Sequence, residues 1–451
     1  MLTAYYAEEI KMRKSSIMKK GLALGLSAAF VLSLAGCGGS GDNSGGSSEG
    51  SNTIRVGIWD NNQLAGLQQI ADEWGEENGY DVEFQVTDWD TYWTMLEAGV
   101  QGGEMPDVFW MHSNNAIKYM QAGVMMDLDE YIENDDTMNI DDFYPDITDL
   151  YTLDGTHYAI PKDHDTIAVI YNKAVFDKYG IEYPTKDWTW QDFADIAQEI
   201  NEKGAADGVY GTYCNSGDVQ NFWYNIIYSF GGKVISDDKT ESGFDDPATV
   251  EAMNFIADEI LPGCPPQDAM ANTGGDTMFQ SGLLGMLPQG SFDVIKYYDS
   301  DNASDYGWVM MPYADVNGDG QCQKEERVSI YNGLGWAAYA NTENPDAAYS
   351  LISAFCSEEG QKKQAELGVT LAGRMNCSDP FTEAYSEMDM TPFIDIEEEG
   401  TLVMRPYSKE YTWESDICDL LVPVWAHPDT MNDVLPDVVE TMNADLAEEN
   451  D

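Results

Sequence analysis

Positively charged residues are scarce in this sequence of 451 residues. Lysine and arginine total 22 against 81 aspartates and glutamates, so the net charge is −59 at pH 7. Nucleic acids and anionic lipid surfaces are bound through clusters of basic side chains, which this composition does not supply. The same charge disfavours long-range capture of anionic small molecules. The composition is compatible with neutral and with cationic ligands.

Clusters typical of catalytic and metal sites are also missing from the sequence. The four histidines form no HExxH motif, and no glycine-rich phosphate loop ends in Lys-Ser or Lys-Thr. The seven cysteines include no CxxC pair and no zinc-type spacing. Residues 46–50 match the letters GxSxG but lack the strand and the helix that a hydrolase elbow requires. We therefore expect that the protein is not an enzyme.

Long apolar runs are absent apart from one between Gly21 and Gly36. It is shorter than the roughly 20 residues that a membrane-spanning helix needs. The run follows Met18-Lys19-Lys20 and ends in small residues, a pattern typical of a secretion signal. We expect residues 1–36 to be a signal peptide, and Met18 is a candidate for the true start.

The end of this run, Leu34-Ala35-Gly36-Cys37, resembles a bacterial lipobox. The resemblance implies that Cys37 becomes the mature N-terminus and carries lipid, palmitate included. Residues 37–52 are rich in glycine and serine, which predicts a flexible tether. The pairing of the remaining cysteines is open in an exported chain; they are Cys214, Cys264, Cys322, Cys356, Cys377 and Cys418.

Alternating strand and helix patterns begin at Thr53. Apolar residues alternate over 54–58 and again over 82–86, as in half-buried strands, and recur at helical spacing over 64–74 between them. A helix over Trp89–Gly99 and a strand over Asp107–Met111 follow. This β-α-β order predicts an α/β fold with a largely parallel sheet.

A second region of strands and helices starts near residue 158. The β-branched stretch Thr166–Tyr171 predicts a strand, and Thr189 with Asp192 forms a candidate capping box for the next helix. Pro247 and Pro345 each open an apolar-striped helix. Tyr331–Ala340 is a further predicted strand.

Three groups of motifs occur in a fixed order along the chain. They are Gly102–Met111 (GGEMPDVFWM) with Ala122–Val124; Tyr158–Pro161 (YAIP) with Asp165-Thr166, Tyr171–Lys173 and Trp188–Trp190; and Tyr331–Trp336 (YNGLGW) with Asn344–Ala348 and Glu358–Gly360. In this order they resemble the extracellular solute-binding proteins of bacterial ABC sugar importers, the family of the maltodextrin-binding protein. The likeness runs from about residue 53 to the C-terminus.

The resemblance implies an α/β fold of the two-lobe, periplasmic-binding-protein-like class (type II). Its lobes are discontinuous because the chain crosses a hinge more than once, and we expect crossings near Tyr158–Pro161, Val328–Ala340 and Phe393–Val403. The N-terminal lobe would hold residues 53–160 and about 334–395. The C-terminal lobe would hold residues 161–333 and about 396–451.

The resemblance also implies that the ligand binds between the lobes. Aromatic rings cover the C–H faces of a sugar, while carboxylates, amides and arginine bond its hydroxyl groups. The candidate ligand-binding residues are Trp59, Asp60, Trp110, His112, Asn114, Asp163, Asp165, Asn215, Trp223, Asn332, Trp336, Arg374 and Trp413. Each has an alternative: a core position for the tryptophans, hinge hydrogen bonding for Asp163 and Asp165, and a satisfied interior imidazole for His112.

The stretch Asp315–Glu326 matches the calcium-loop pattern D-x-[DN]-x-[DN]-G-x5-E. Its candidate ligands are Asp315, Asn317, Asp319, the Gln321 carbonyl and Glu326. The flanks do not read as paired helices, and Cys322 stands where an aliphatic residue is usual. A structural calcium ion and an Asp/Asn/Gly-rich turn both remain open, and no other cofactor is expected.

Together these features predict a lipid-anchored, monomeric receptor on the outer side of the cytoplasmic membrane. A lipobox occurs in both Gram types, and a free-standing tethered receptor of this composition indicates a Gram-positive surface. It would capture a neutral oligosaccharide by hinge closure and deliver it to the transmembrane subunits of an ABC permease. One alternative is the same fold with a cationic ligand such as a polyamine. Another is a secreted glycan-degrading enzyme or adhesin.

Overall fold

The computed structural model describes residues 52–410 and 412–450. The predicted signal peptide and Cys37 lie outside the described residues, as does the tether up to residue 51. Within the described part of the chain, no helix combines the length and the apolar character needed to cross a bilayer.

Strands and helices alternate through most of the described chain. The strands are β1 (Thr53–Ile58), β2 (Asp81–Val86), β3 (Val108–Met111), β4 (Thr152–Leu153), β5 (Thr156–His157), β6 (Ala159–Pro161), β7 (Ile167–Asn172), β8 (Met286–Gly290), β9 (Tyr306–Met310), β10 (Val328–Tyr331), β11 (Gly335–Ala338) and β12 (Thr401–Met404). The helices are α1 (Leu64–Asn78), α2 (Trp89–Gly102), α3 (Ser113–Gln121), α4 (Asp129–Glu133), α5 (Pro145–Leu150), α6 (Lys173–Tyr179), α7 (Trp190–Gly204), α8 (Tyr224–Ser229), α9 (Pro247–Phe255), α10 (Gln267–Met270), α11 (Gly275–Gln280), α12 (Val294–Tyr298), α13 (Pro345–Cys356), α14 (Glu358–Glu366), α15 (Asp379–Ala384), α16 (Pro392–Glu399), α17 (Thr412–Ala426) and α18 (Met431–Asn450). Two π-helical turns, Val219–Trp223 and Ile256–Ile260, adjoin α8 and α9.

The first sheet has five strands in the order β2-β1-β3-β11-β6. β1, β2 and β3 are parallel, while β11 runs antiparallel to both β3 and β6. The carboxyl ends of β1, β3 and β6 therefore meet the amino end of β11 at one edge of the sheet. Helix α1 buries Leu67, Ile70 and Trp74 in this first core, at the spacing that the sequence predicted.

The second sheet has three antiparallel strands in the order β8-β7-β9. Its register pairs Ile167 with Gly290, so the amino end of β7 lies beside the carboxyl end of β8. The predicted capping box is present before α7: Asp192 N–H donates to Thr189 Oγ1 (3.0 Å), and Thr189 N–H donates to Asp192 Oδ2 (2.8 Å). The helices around this sheet bury a second, larger core.

Three short segments connect the two cores and bond to one another. Asp165 N–H donates to the Asn332 carbonyl (2.7 Å), and Lys162 N–H donates to the Leu334 carbonyl (2.7 Å). Gly373 N–H donates to the Lys162 carbonyl (3.4 Å). We call residues 162–166, 332–334 and 371–374 the crossing segments. The first two directly follow or lie within crossings that the sequence predicted.

Helices α15 and α16 pack differently from the lobe assignment made from the sequence. That assignment places residues up to about 395 in the N-terminal lobe, but Phe381 and Phe393 belong to the second core. The Phe393 ring lies 4.8 Å from the Trp308 ring of β9. Both helices therefore bury apolar side chains in the core that contains the second sheet. The other lobe boundaries remain predictions.

Candidate functional site

Loop residues from both sheets converge on one region. Trp59 and Asp60 follow β1, His112 follows β3, and Leu334 precedes β11, all at the shared edge of the first sheet. Phe292 follows β8 at the facing edge of the second sheet. Open α/β sheets bind ligands outside the carboxyl ends of their strands, so the topology itself marks this region as a site.

A cavity of about 220 Å³, which we call the central chamber, occupies this region. Its lining residues are Trp59, Asp60, Gln63, Trp89, His112, Asp163, Asp165, Gln220, Asn221, Phe292, Asn332 and Leu334. The sequence predicted Trp59, Asp60, His112, Asp163, Asp165 and Asn332 among them. Aromatic faces beside carboxylates and amides are the combination that a sugar ring requires.

Trp59 is one of the half-buried aromatic side chains that line this chamber. Its ring makes edge contacts with Trp89 (centroids 5.1 Å apart), Tyr92 (5.0 Å) and Trp110 (4.9 Å), so its orientation is fixed from three sides. Trp89 was not predicted as a ligand-binding residue. The signal was present, because Trp89 begins α2 directly after β2, at the same edge of the sheet.

Four predicted tryptophan platforms lie in the protein cores instead. Trp110, Trp223 and Trp336 have no exposed surface, and Trp413 is 1% exposed. Trp336 stacks on Phe355 with centroids 4.5 Å apart. The indole N–H of Trp223 donates to the Ser216 carbonyl, and that of Trp413 to Ser408 Oγ. These side chains fill space between helices and sheets, which is the alternative that the sequence left open.

Asp163 lines the central chamber but its carboxylate is already committed to the crossing segments. Oδ1 accepts the Leu334 N–H (2.6 Å), and Oδ2 accepts the Lys162 ammonium (2.5 Å). Lys162 also donates to Gln63 Oε1 (2.8 Å) and lies 4.7 Å above the Trp110 ring. Asp163 therefore acts as a hydrogen-bonding partner of the hinge rather than as a free ligand contact.

Asp165 lies beside Asp163 at the start of the second sheet. Its Oδ1 accepts hydrogen bonds from Ser291 Oγ (3.1 Å) and Thr370 Oγ1 (3.4 Å). Burial, followed by the charge of Asp163, raises the pKa of Asp165 well above its usual value. Asp165 thus favours its protonated form at the back of the chamber.

His112 and Asn332 form a hydrogen-bonded pair across the chamber wall. His112 Nδ1 accepts the Asn114 N–H (3.2 Å), and Nε2 lies 2.9 Å from the Asn332 amide. Burial, aided by the Arg405 charge, lowers the pKa of His112 well below its usual value, so the imidazole is neutral. The Asn332 atom nearest Nε2 is the amide nitrogen, Nδ2. Asn332 Oδ1 has no hydrogen-bond partner among the described residues and is left as an acceptor for a ligand.

A second cavity, the arginine chamber, adjoins the central chamber and measures about 210 Å³. Arg405 lines it and bonds both Asn114 and Glu414, joining residues that follow β3 to helix α17. Glu414 also accepts the Tyr224 hydroxyl (3.0 Å). Asn114 is therefore held by Arg405, and Arg405 is a site residue that no motif in the sequence had marked.

A third cavity, the side chamber, measures about 290 Å³ and is formed by the second core alone. Its lining residues are Tyr213, Asn215, Asp218, Asn221, Phe222, Gly274, Gly275, Asp276, Thr277, Leu287, Pro288, Gln289 and Asp293. The predicted residue Asn215 lies here rather than in the central chamber. Asn221 lines all three chambers, so they join at that residue.

Arg374 is a further predicted site residue that lies away from the cleft. Its guanidinium pairs with Asp142 and donates to the Thr137 carbonyl (3.3 Å). It lines a wide depression of about 930 Å³ beside α13 and α14. The loop that carries Arg374 turns back onto the first core, where Asp142 compensates its buried charge.

The candidate calcium loop closes on itself through turn hydrogen bonds. Asp315 Oδ2 accepts the Gly320 N–H (3.1 Å), Asn317 Oδ1 accepts the Asp319 N–H (2.8 Å), and Asp319 Oδ1 accepts the Gln321 N–H (2.8 Å). Glu326 accepts the Gln323 N–H (3.0 Å). In residues 52–410 and 412–450, no three or more His, Cys, Asp or Glu side chains are grouped to hold a metal ion. This geometry is that of a turn, and calcium binding stays a prediction.

The six cysteines of the described chain are free thiols. Cys214, Cys264, Cys356 and Cys377 are buried, while Cys322 is exposed in the loop between β9 and β10. Burial raises the pKa of Cys322 from its usual value, which keeps this thiol in its less reactive protonated form.

Comparisons with known proteins agree with this architecture. The chain is 27% identical over 322 residues to a maltotriose-binding protein of Pyrococcus abyssi, covering 69% of this chain and 65% of that relative. An ABC substrate-binding protein from Listeria monocytogenes in complex with cycloalternan superimposes with a TM-score of 0.75 at 22% identity, covering 88% of this chain and 98% of that one. The GacH receptor of Streptomyces glaucescens superimposes with a TM-score of 0.70 at 21% identity, with the same coverage of each chain.

These structural likenesses confirm the predicted fold class. The description of the matching family model is bacterial extracellular solute-binding protein, and the match extends over residues 59–362, more than half of the chain. It begins at Trp59 in the central chamber and includes every chamber-lining residue except Arg405. The chain belongs to the family of bacterial extracellular solute-binding proteins.

Proposed function

We propose that this protein captures a neutral oligosaccharide in its cleft and hands it to an ABC permease. The observation that carries the proposal is the central chamber, where Trp59 and Trp89 stand beside Asp60, Asn221 and Asn332. The maltotriose-binding relative and the cycloalternan complex support a sugar ligand. The alignment spans only 65% of the maltotriose-binding relative. The sugar ligand of this chain is therefore our proposal and is not taken over from that relative.

Different residues of the central chamber would contact the apolar faces and the hydroxyl groups of a sugar ring. Trp59 presents an oriented aromatic face for the C–H groups of a ring. Asp60 accepts the Asn62 N–H (2.8 Å) and the Gln63 amide (3.2 Å), which fixes its carboxylate while leaving lone pairs for hydroxyl groups. Asn332 Oδ1, which has no partner among the described residues, would accept a hydrogen bond from a sugar hydroxyl on the opposite side.

Ligand capture would proceed by hinge closure at the crossing segments. These segments carry the chain between the two cores and also contribute Asp163, Asp165 and Asn332 to the chamber. A ligand that contacts both cores stabilises the closed arrangement because it binds that arrangement better than the open one. The closed form would then be the one presented to the permease subunits.

Thermal unfolding of the full chain against a panel of sugars tests the proposal. A ligand at 100 times its dissociation constant adds about 2.7 kcal/mol of stability, which raises the midpoint clearly. We expect a shift with one oligosaccharide series and its loss in Asp60→Asn. Asp136→Asn, on the surface away from the chambers, is the matched control. Absence of a shift with every sugar would contradict the proposal.

The same experiment addresses the alternatives. The Asp60 carboxylate lines the central chamber and the chain carries a net charge of −59, which together favour a cationic ligand, so spermidine and putrescine belong in the panel. A shift with these amines alone would favour that ligand class. Release of shorter sugars from a bound glycan would indicate an enzyme, and binding only to insoluble polymer would indicate an adhesin. A shift with calcium that a chelator reverses would support the Asp315–Glu326 site.

We further propose that the protein is a monomeric lipoprotein anchored through Cys37 to the outer face of a Gram-positive cell membrane. The lipobox-like sequence and the extracellular family support this location. The expected outcome for Cys37→Ser is release of the protein from the membrane fraction into the medium. Retention of that variant in the membrane would contradict lipid anchoring.

A further inference from the structure

The Lys162 side chain is fully buried behind the central chamber. Lys162 is one of 22 basic residues in the chain and is the first residue of the crossing segments, directly after β6. Its side chain has no exposed surface and lines none of the three chambers described above. Burying an ammonium group is costly unless partners compensate its charge and bond its N–H groups. The partners of Lys162 therefore indicate what it does there.

Three partners surround the ammonium group, one for each of its N–H bonds. It donates to Gln63 Oε1 (2.8 Å) and to Asp163 Oδ2 (2.5 Å), and it lies 4.7 Å above the Trp110 ring. A lysine has three donors and no acceptor, and an aromatic face within about 6 Å attracts a cation. The ammonium group is therefore fully occupied, so Lys162 can influence a ligand only through these neighbours.

The first neighbour, Gln63, connects Lys162 to Asp60. Gln63 is the residue before α1, is 3% exposed and lines the central chamber. Because Lys162 can only donate, the amide oxygen of Gln63 must face it, and the amide nitrogen donates to Asp60 Oδ2 (3.2 Å). Lys162 thus determines which end of the amide meets Asp60. A donor at that point fixes a carboxylate that would accept sugar hydroxyl groups.

The other two neighbours connect the same ammonium group to the aromatic wall and to the hinge. The Trp110 ring beneath Lys162 makes an edge contact with Trp59 (centroids 4.9 Å apart). Asp163 Oδ1 accepts the Leu334 N–H (2.6 Å) of another crossing segment. The ammonium group is therefore one residue removed from the polar contact, from the aromatic contact and from the second crossing segment.

We propose that Lys162 is a positioning residue of the binding site. Through Gln63 it orients the Asp60 carboxylate, and through its contact with Trp110 it supports the Trp59 ring. Its ion pair ties both contacts to the crossing segments. This inference rests on the proposed sugar-binding function and names the residue that sets the geometry of two ligand contacts. Removing the ammonium group should weaken sugar binding although that group touches no ligand.

A paired substitution removes the ammonium group without leaving a charge behind. Lys162→Met alone would leave the buried Asp163 carboxylate uncompensated, which destabilises the fold. Lys162→Met combined with Asp163→Asn removes both charges, and the side-chain oxygen at position 163 can still accept the Leu334 N–H. The paired variant therefore loses the contacts with Gln63 and Trp110 while keeping the bond between the crossing segments.

A single substitution tests the link to Asp60 and leaves the ion pair in place. Gln63→Leu fills a similar space but neither accepts from Lys162 nor donates to Asp60. The matched control is Gln69→Leu on the exposed face of α1. Gln69 makes the same kind of bond at the same distance, from Nε2 to Glu73 Oε1 (3.2 Å), away from the chambers.

Titration calorimetry of the full chain would use malto-, cello- and xylo-oligosaccharides of two to four units. For the sugars that bind the wild type, we expect the paired substitution and Gln63→Leu each to weaken binding about tenfold, equivalent to one or two net hydrogen bonds. Gln69→Leu should match the wild type within about twofold. Thermal unfolding of each variant in parallel checks that the titrated protein is folded.

Gln63→Glu distinguishes positioning of Asp60 from simple filling of space. At pH 8 the new carboxylate would still accept from Lys162 but would repel Asp60 instead of donating to it. At pH 5 two neighbouring carboxylates share a proton more readily than a single one binds it, and a protonated carboxyl group donates as the amide does. Relative to the wild type at the same pH, sugar binding by Gln63→Glu should recover several-fold from pH 8 to pH 5. Gln63→Leu should show no such recovery.

If Gln63→Leu or the paired substitution binds sugar within about twofold of the wild type, the inference is overturned and the proposed function stands. Equal weakening of Gln63→Glu at both pH values would also overturn it, because residue 63 would then act by its shape alone. Absence of binding to every one of these sugars would overturn the proposed function and this inference together.

Discussion

At the scale of single residues, exposure separates ligand platforms from core side chains of the same type. Trp59 lies one residue beyond the end of β1 and lines the central chamber, whereas Trp336 lies inside β11 and stacks on Phe355. The two rings are of equal size, but only the first has a face that a ligand can cover. Their removal should therefore affect different properties.

We expect Trp59→Ala to weaken sugar binding by tenfold or more, while Trp336→Ala lowers the free energy of unfolding by about 3–5 kcal/mol, the usual cost of emptying an aromatic core site. Denaturant unfolding and calorimetry on both variants provide the measurements. The assignment would be contradicted if Trp336→Ala stayed as stable as the wild type and lost ligand affinity instead.

A second residue-scale prediction concerns the buried carboxyl group of Asp218. Burial raises the pKa of Asp218 to about 7 in the folded protein, against about 3.9 in an unfolded chain. Between these values the folded state holds a proton that the unfolded state has released, so stability falls as the pH rises from about 4 to about 7. Asp218→Asn removes this contribution and should be more stable than the wild type at pH 8.

The measurement is the unfolding midpoint of wild type and Asp218→Asn from pH 4 to pH 8. Asp293, whose pKa is raised by burial to about 6, contributes in the same direction and is unchanged in the variant. The two curves should converge near pH 4 and separate progressively as the pH rises to about 7. Parallel curves would mean that the Asp218 carboxyl group ionises as it does in the unfolded chain.

At the scale of elements, the crossing segments depend on a buried ion pair. Lys162 and Asp163 are fully buried, and Asp163 also accepts the Leu334 N–H of a second crossing segment. Removing one partner leaves an uncompensated buried charge, so we expect Asp163→Ala to cost about 3–5 kcal/mol of stability. The exposed pair Lys362–Glu358 is the matched control, and Glu358→Ala should leave the stability nearly unchanged because solvent screens that pair. Similar costs for both variants in denaturant unfolding would contradict the structural role of the pair.

Elements were predictable from the sequence to the extent that local periodicity determines them. The alternation over 54–58, the helical stripe of α1 and the capping box at Thr189 all have the structures expected from their patterns. Each depends on neighbours within a few residues, where apolar spacing and capping groups act directly. The order of family motifs then supplied the topology, which local patterns do not contain.

The candidate site was less predictable because a shift of one or two residues in the end of a strand decides whether a side chain lies in the core or in the chamber. Trp110 is inside β3 and points into the core, while His112, two positions later, lines the chamber. Strand limits read from periodicity are uncertain by more than this distance. Arg405 and Asn221 were missed for a different reason: they reach the chambers from distant parts of the chain, through packing that leaves no local pattern.

At the scale of the whole molecule, the net charge of −59 opposes compact folding through self-repulsion. Added salt screens charges separated by more than about 10 Å at 0.1 M ionic strength, and so relieves this repulsion. The unfolding midpoint should rise between low and high sodium chloride. The shift should be larger than for a protein of similar size with balanced charge.

The same charge makes salt a test of the ligand's own charge. A neutral sugar is held by stacking and hydrogen bonds inside the chambers, so its affinity should change by less than about twofold between about 20 and 500 mM sodium chloride. A polyamine would be attracted by the surrounding field as well as by Asp60, and its affinity should fall about tenfold or more over that range. Calorimetric titration at both salt concentrations measures the two responses directly. A steep salt dependence for the ligand that binds would favour the cationic class, because no neutral molecule gains from the charge of the whole protein.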